Sequence, residues 1–200
     1  MVYLLFMGRH CSIVSVVVLA VAVSSGTAMG NDDAPRTQLS VGTDLSPWFL
    51  NGYSAMVFVE PASLPAWRFG AELWSMQLPN FAIEMVKENR EQGFSHDIRF
   101  AGVLYADRTL GETAWHAGAL VNVMRARISR NGTHGDVTIG ELLGRVGYRF
   151  LPMGPRGIFL DPWFGLGPQM AFGDLPELDG RQYKLFPLQP IATVHAGYRI

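Results

Sequence analysis

Along most of this chain apolar and polar residues alternate one for one, in stretches longer than the strands of ordinary globular sheets. In 66–76, Trp67, Phe69, Ala71 and Leu73 oppose Arg68, Gly70 and Glu72; in 113–127, Trp115, Ala117, Ala119, Val121 and Val123 oppose His116, Gly118 and Asn122. Segment 137–150 sets Leu142, Val146, Tyr148 and Phe150 against Glu141, Arg145, Gly147 and Arg149. A period of two predicts strands, and five further segments complete the set: 37–45, 53–60, 97–106, 158–170 and 186–200. Segment 97–106 is apolar on both sides, which leaves its facing open. Most of these segments reach the ~9–11 residues that a tilted strand needs to cross a bilayer, against ~5–6 in a typical globular sheet.

The gaps 61–65, 107–112 and 151–157 are short and rich in turn formers, and they alternate with 46–52, 77–96, 128–136 and 171–185. With both termini in the periplasm, the first set reads as periplasmic turns and the second as outward-facing loops. In hydrocarbon every backbone N–H and C=O needs an internal partner, which a sheet supplies only by closing on itself. The expected fold is therefore all-β: an eight-stranded antiparallel up-and-down transmembrane β-barrel. The 77–96 loop is expected to hold a short helix that Asn80 caps and that Phe81, Ile83, Met85 and Val86 crowd on its early turns, read as packed over the barrel mouth or, alternatively, as a partner-binding or lipid-touching flap.

The first 30 residues have another character. Arg9 and His10 precede an apolar run from Cys11 to Val23, and Ala28-Met29-Gly30 supplies the small residues of a signal-peptidase site. The apolar run is too short to span ~30 Å of hydrocarbon as a helix, so 1–30 is expected to be a cleaved export signal and 31–200 a single barrel domain. Cys11 is the only cysteine, so disulfides cannot hold the exported part together. Once Arg9 is removed, 15 basic residues face 17 acidic ones, a balance that offers nothing to nucleic acid.

A narrow barrel is filled by side chains rather than by water. The inward set then consists of glycines (Gly70, Gly102, Gly118, Gly147, Gly165, Gly167 and Gly197) beside charges of both signs: Arg68, Glu72, Glu141, Arg145, Arg149, Asp161, His195 and Arg199. Unpaired, each charge would be costly, so the mixture predicts a plugged polar interior with a charge network and no open pore. The opposite faces are left for lipid. Trp67, Trp115, Tyr53, Tyr148, Phe150 and Tyr198 fall near strand ends, where interfacial aromatic girdles sit.

The last segment, "PIATVHAGYRI", alternates up to the carboxyl terminus and resembles the C-terminal assembly signal of bacterial outer-membrane proteins. Such chains usually end in Phe; here Ile200 is last and Tyr198 is aromatic two places earlier. With "DLSPWFLNGYS", "GRVGYRF", "LDPWFGLG" and "TVHAGYRI", the chain is similar to small eight-stranded outer-membrane barrels of an uncharacterised bacterial family. The resemblance implies a monomer in the bacterial outer membrane, delivered by the barrel-assembly machinery through its terminal strand, with outer-membrane lipid and lipopolysaccharide as neighbours. It implies a structural or surface-interaction role and transfers no activity.

Other readings stay beside this one. A soluble, secreted, lipocalin-like barrel would bind an apolar ligand and invert the faces. A lipid-modifying outer-membrane enzyme would need a serine near a histidine. His195 could pair with Asp161, Glu141 or Glu72, but the last serine in the chain is Ser129, and Ser54 or Ser75 cannot be placed against His116 by spacing. "MRARISR" puts Arg125, Arg127 and Arg130 at the outer end of the fifth strand, where guanidinium groups could hold lipopolysaccharide phosphates or simply form a solvated rim. No metal-ligand spacing and no strand-turn-helix glycine loop is present, so no cofactor is expected. "NGT" at 131–133 matches a glycosylation acceptor and carries little weight. Pro162 and Pro168 each remove a ladder donor, so the seventh strand should be bulged or shorter than its pattern.

Overall fold

The computed structural model describes residues 36–200; the expected export signal, 1–30, lies outside the described residues. Eight strands form a closed ring in which each is antiparallel to both neighbours: β1 (Gln38–Asp44), β2 (Tyr53–Glu60), β3 (Trp67–Leu78), β4 (Ser95–Thr109), β5 (Trp115–Arg130), β6 (Thr133–Tyr148), β7 (Gly157–Phe172) and β10 (Leu188–Arg199). A small hairpin, β8 (Glu177–Leu178) with β9 (Arg181–Gln182), stands apart in the loop before β10. The terminal strand makes the closure. It pairs with β7 along its whole length and with β1 from Ser40↔Arg199 to Asp44↔His195.

Strands β3 to β7 are longer than their patterns suggest, while β1 and β10 are shorter and β2 matches 53–60. The 128–136 stretch is not a long loop: β5 runs to Arg130 and β6 starts at Thr133, leaving Asn131 and Gly132, with φ of 47° and 84°, as a two-residue hairpin turn. Asn-Gly tolerates two positive φ angles, the requirement of a type I′ turn whose twist matches the flanking strands. β7 likewise runs unbroken over 16 residues despite its prolines. Its ladder to β10 is continuous, while its ladder to β6 stops at Trp163 and lapses between Leu166 and Gln169 without a change of register. Pro162 and Pro168 fall in those two gaps, so the missing N–H groups interrupt the β6 ladder locally, and the strand keeps its register and is neither bulged nor shortened there. Register shifts occur instead on the β3–β4 and β4–β5 ladders, at Trp74/Met76 and Ile98/Phe100.

One end of the ring carries the turns 61–66, 110–114 and 149–156, and the other carries the larger connections 45–52, 79–94 and 173–187 beside the two-residue turn 131–132. At the loop end, α1 (Leu45–Phe49) is capped by Asp44, whose Oδ1 accepts from the Ser46 N–H at 2.8 Å. The expected helix of the 77–96 loop is α2 (Asn80–Glu84), followed by a 3-10 turn at Lys87–Asn89. Its N-cap is Pro79 and not Asn80, and no side chain caps it; Asn80 sits inside the first turn. Ile83 and Val86 are buried while Phe81 and Met85 are exposed.

Alternation sorts the side chains by face. Trp67, Phe69, Leu73, Leu104, Val121 and Val146 point out of the ring and are exposed, whereas Arg68, Glu72, Asp107, Glu141, Arg145 and Asp161 point in and are buried. β4 resolves its ambiguous pattern by turning Ala101, Val103, Tyr105 and Asp107 inward and Phe100 and Leu104 outward. Gly102 therefore belongs to the outer face, against the expectation that placed it inside; an added Cβ there would meet only the outward Leu73. The interior also departs from an all-polar filling. Toward the loop end it is apolar, built by Trp74, Ile98, Met124, Ile128, Val137 and Ile139. Phe58 and Phe159 are fully buried as well.

Candidate functional site

The lower interior, toward the turn end, holds a connected ionic network. Arg68, inward on β3, donates from Nε (3.0 Å) and one terminal nitrogen (2.7 Å) to Asp107 Oδ2, and from its other terminal nitrogen to Asp161 Oδ2 at 2.7 Å. Arg145, inward on β6, donates to the two oxygens of Asp107 at 2.8 and 2.7 Å. His116 Nε2 lies 2.7 Å from Asp161 Oδ1. Arg149 and Arg199 both donate to Glu60 at the turn end, and Arg149 Nε lies 3.9 Å from Asp161. Aromatic faces cover the cations: the Arg68 guanidinium carbon is 4.3 Å from the Phe58 centroid, and that of Arg145 is 4.5 Å from Tyr105 and 4.9 Å from Trp163. Such contacts are worth up to ~2 kcal/mol when dry. Buried and bidentate, these pairs block the lower bore.

Of the residues singled out by alternation, Arg68, Arg145, Arg149 and Asp161 come together in this network, and Arg199 joins through Glu60. Glu72, Glu141 and His195 do not. Four residues of extended chain separate Glu72 from Arg68 and Glu141 from Arg145, about 13 Å along the strand. Glu72 instead accepts from Ser54 at 2.5 Å and from the Tyr105 hydroxyl, and Glu141 Oε2 accepts from Asn122 Nδ2 at 2.8 Å. Neither has an ion-pair partner among the described residues. His195 accepts from the Trp163 indole N–H at 2.7 Å and packs among the Phe58, Tyr105 and Trp163 rings.

Sequence reasoning missed Asp107, the acceptor shared by Arg68 and Arg145, because "DRTLGE" reads as a turn. Its signal was present: Val103, Tyr105 and Asp107 continue one face with period two. Asn122 was placed on the inner face without a role.

Above the network lies a cavity of about 490 Å³. Glu72, Tyr105, Asn122 and Glu141 line its deep part, and Trp74, Ile98 and Met124 line the next level. It reaches the surface at the loop end, beside the exposed Phe81 and Met85 of α2. His96 stands near this mouth with Nδ1 2.9 Å from the Tyr183 hydroxyl; burial pushes that hydroxyl above the usual tyrosine range.

At the outer rim, Arg125 is exposed and 3.7 Å from Asp136, and Arg127 donates to Asp136 at 2.9 Å. Arg130 is a brace between loops: it donates to the Gln92 carbonyl at 2.7 Å and to Asp179 at 3.3 Å. Ser54 is bound to Glu72 and not to a histidine.

Neither a protein-family model nor a curated protein matches the chain. Among solved structures it is similar to the crystal structure of Neisserial surface protein A, at 12% identity and a TM-score of 0.42, over 82% of this chain and 92% of that one.

Proposed function

We propose that this chain is a monomeric bacterial outer-membrane barrel, exported and inserted through its terminal strand, with a structural or surface-interaction role at the cell surface. The observation that carries the reading is the sorting of faces: charges meet one another inside the ring while an unbroken apolar belt faces out. From Trp115 to Val123 the outward side of β5 is wholly uncharged and rises roughly 20 Å along the axis at a tilt near 40°. The first outward charges, Arg125 and Arg127, follow immediately. In a soluble barrel this belt would be a patch far larger than water-exposed surfaces sustain. The short turns then face the periplasm and α1, α2 and the β8–β9 hairpin face outside. Arg125 and Arg127 stand where lipopolysaccharide phosphates lie, and bidentate guanidinium pairing suits that contact.

The test is a detergent gel of the full-length protein with and without boiling, joined to membrane fractionation. Faster migration unheated and recovery with the outer membrane are expected. Equal mobility together with solubility in plain buffer would overturn the reading in favour of a soluble barrel.

A further inference from the structure

We propose that the cavity above the ionic network is a binding site for a small amphiphile with an amino head and an apolar body. Asn122, 2% exposed, gives one Nδ2 hydrogen to Glu141 and leaves Oδ1, a strong acceptor, without a partner. Glu141 Oε1 likewise has no bond among the described residues, and Glu141 has no cation within ion-pair reach. Beside them, Glu72 is a second carboxyl without an ion pair. The deep wall therefore presents acceptors; the guanidinium of Arg145, below the lining, gives Nε and one terminal nitrogen to Asp107 and leaves its other terminal nitrogen unpartnered. A buried acceptor left unmatched is costly, and an ammonium group is the donor that satisfies several at once.

Above this polar patch the lining is Trp74, Ile98, Met124 and, from α2, Ile83, which offer an alkyl or aromatic body nothing but apolar contact. The volume falls within the range of small-molecule sites, and the mouth is on the side of the larger loops. At the mouth His96, 3% exposed, lines the same space and has an unpartnered Nε2. An anionic head of the same size carries no hydrogen to give to Asn122 Oδ1. The site thus selects a hydrogen-bond donor at the head.

The experiment uses the full-length barrel in zwitterionic phosphatidylcholine nanodiscs, with octylammonium as the probe and octanoate and octanol in parallel. Binding is read by calorimetry and by the Asn122 side-chain amide resonance, with empty nanodiscs subtracted. Saturable one-to-one binding of octylammonium, at least about tenfold tighter than octanoate, is expected, with Glu141→Gln losing about tenfold. Met124→Trp, which fills the cavity, should abolish the site while unheated gel mobility reports an intact barrel. Octanoate binding as tightly as octylammonium, an unaffected E141Q, or uptake no greater than that of empty discs would each overturn the assignment. Gel mobility reads the membrane barrel and the titration reads the cavity, so the two proposals fail separately.

Discussion

Asp107 is the acceptor on which the ionic network depends, and replacing it with asparagine tests whether that network holds the barrel together. Asp107→Asn keeps the volume, removes the charge and halves the accepting capacity for four guanidinium donors. Arg68 retains Asp161 at 2.7 Å; Arg145 has no second ion-pair partner among the described residues. Removing one partner of a buried ion pair costs about 3–5 kcal/mol because the other charge stays buried and uncompensated. That range applies to Arg145, and the weakened Arg68 contact adds about 1 kcal/mol. The rings over Arg145 are present in both proteins and cancel. Urea unfolding in phosphatidylcholine vesicles, followed by tryptophan emission, should show a loss of about 4–6 kcal/mol. Adding Arg145→Met removes the stranded charge, so the double variant should be more stable than Asp107→Asn alone by at least about 2 kcal/mol. A loss below about 1 kcal/mol for Asp107→Asn, or strictly additive costs, would refute the reasoning.

Two further perturbations probe the belt and the backbone. Leu104→Arg places a charge on the outward face opposite Val121, near the middle of the belt, and should cost about 2–4 kcal/mol in the same vesicles; a cost near zero would take that face out of hydrocarbon. Gly167→Ala would set a Cβ 2.0 Å from the Leu142 carbonyl oxygen and 2.8 Å from Leu143 Cα, both backbone atoms of β6. We expect a loss of about 1–3 kcal/mol with faster amide exchange confined to β6 and β7, and unchanged exchange along that seam would contradict the close approach.

The ring and its facing are legible in the sequence because period two is a local property. A strand that alternates Trp67, Arg68, Phe69 and Gly70 has one assignment once one side must be apolar. The limits of legibility are those of local pattern as well. The strand ends escape the pattern wherever polar turn formers occur within a strand that continues past its apolar stretch, as at Asp107 and around Asn131–Gly132. β4 was ambiguous because Ala101, Val103 and Tyr105 are apolar residues facing an interior that is itself partly apolar. Which charges meet depends on stagger between strands, and alternation carries no information about height. Glu72 and Arg145 share a face of the sheet yet join different clusters for this reason.

Height is also where the interior divides its work. Eight strands enclose a bore that side chains can fill or that can hold one small ligand, and here each happens at its own level. At the turn end long guanidinium groups reach across the axis to Asp107 and Asp161, which closes the bore with paired charge. Higher up, the inward positions pass to Asn122, Met124, Ile98 and Trp74, which line a space they do not fill. A barrel needed only as a sealed anchor would continue the ionic or apolar filling to the rim. The Glu72 and Glu141 carboxyls sit at the boundary between the two levels, held by neutral donors instead of guanidinium groups, so the closed floor presents acceptor oxygens to whatever enters from the loop side. The same inward faces thus seal the barrel below and equip it to select a guest above.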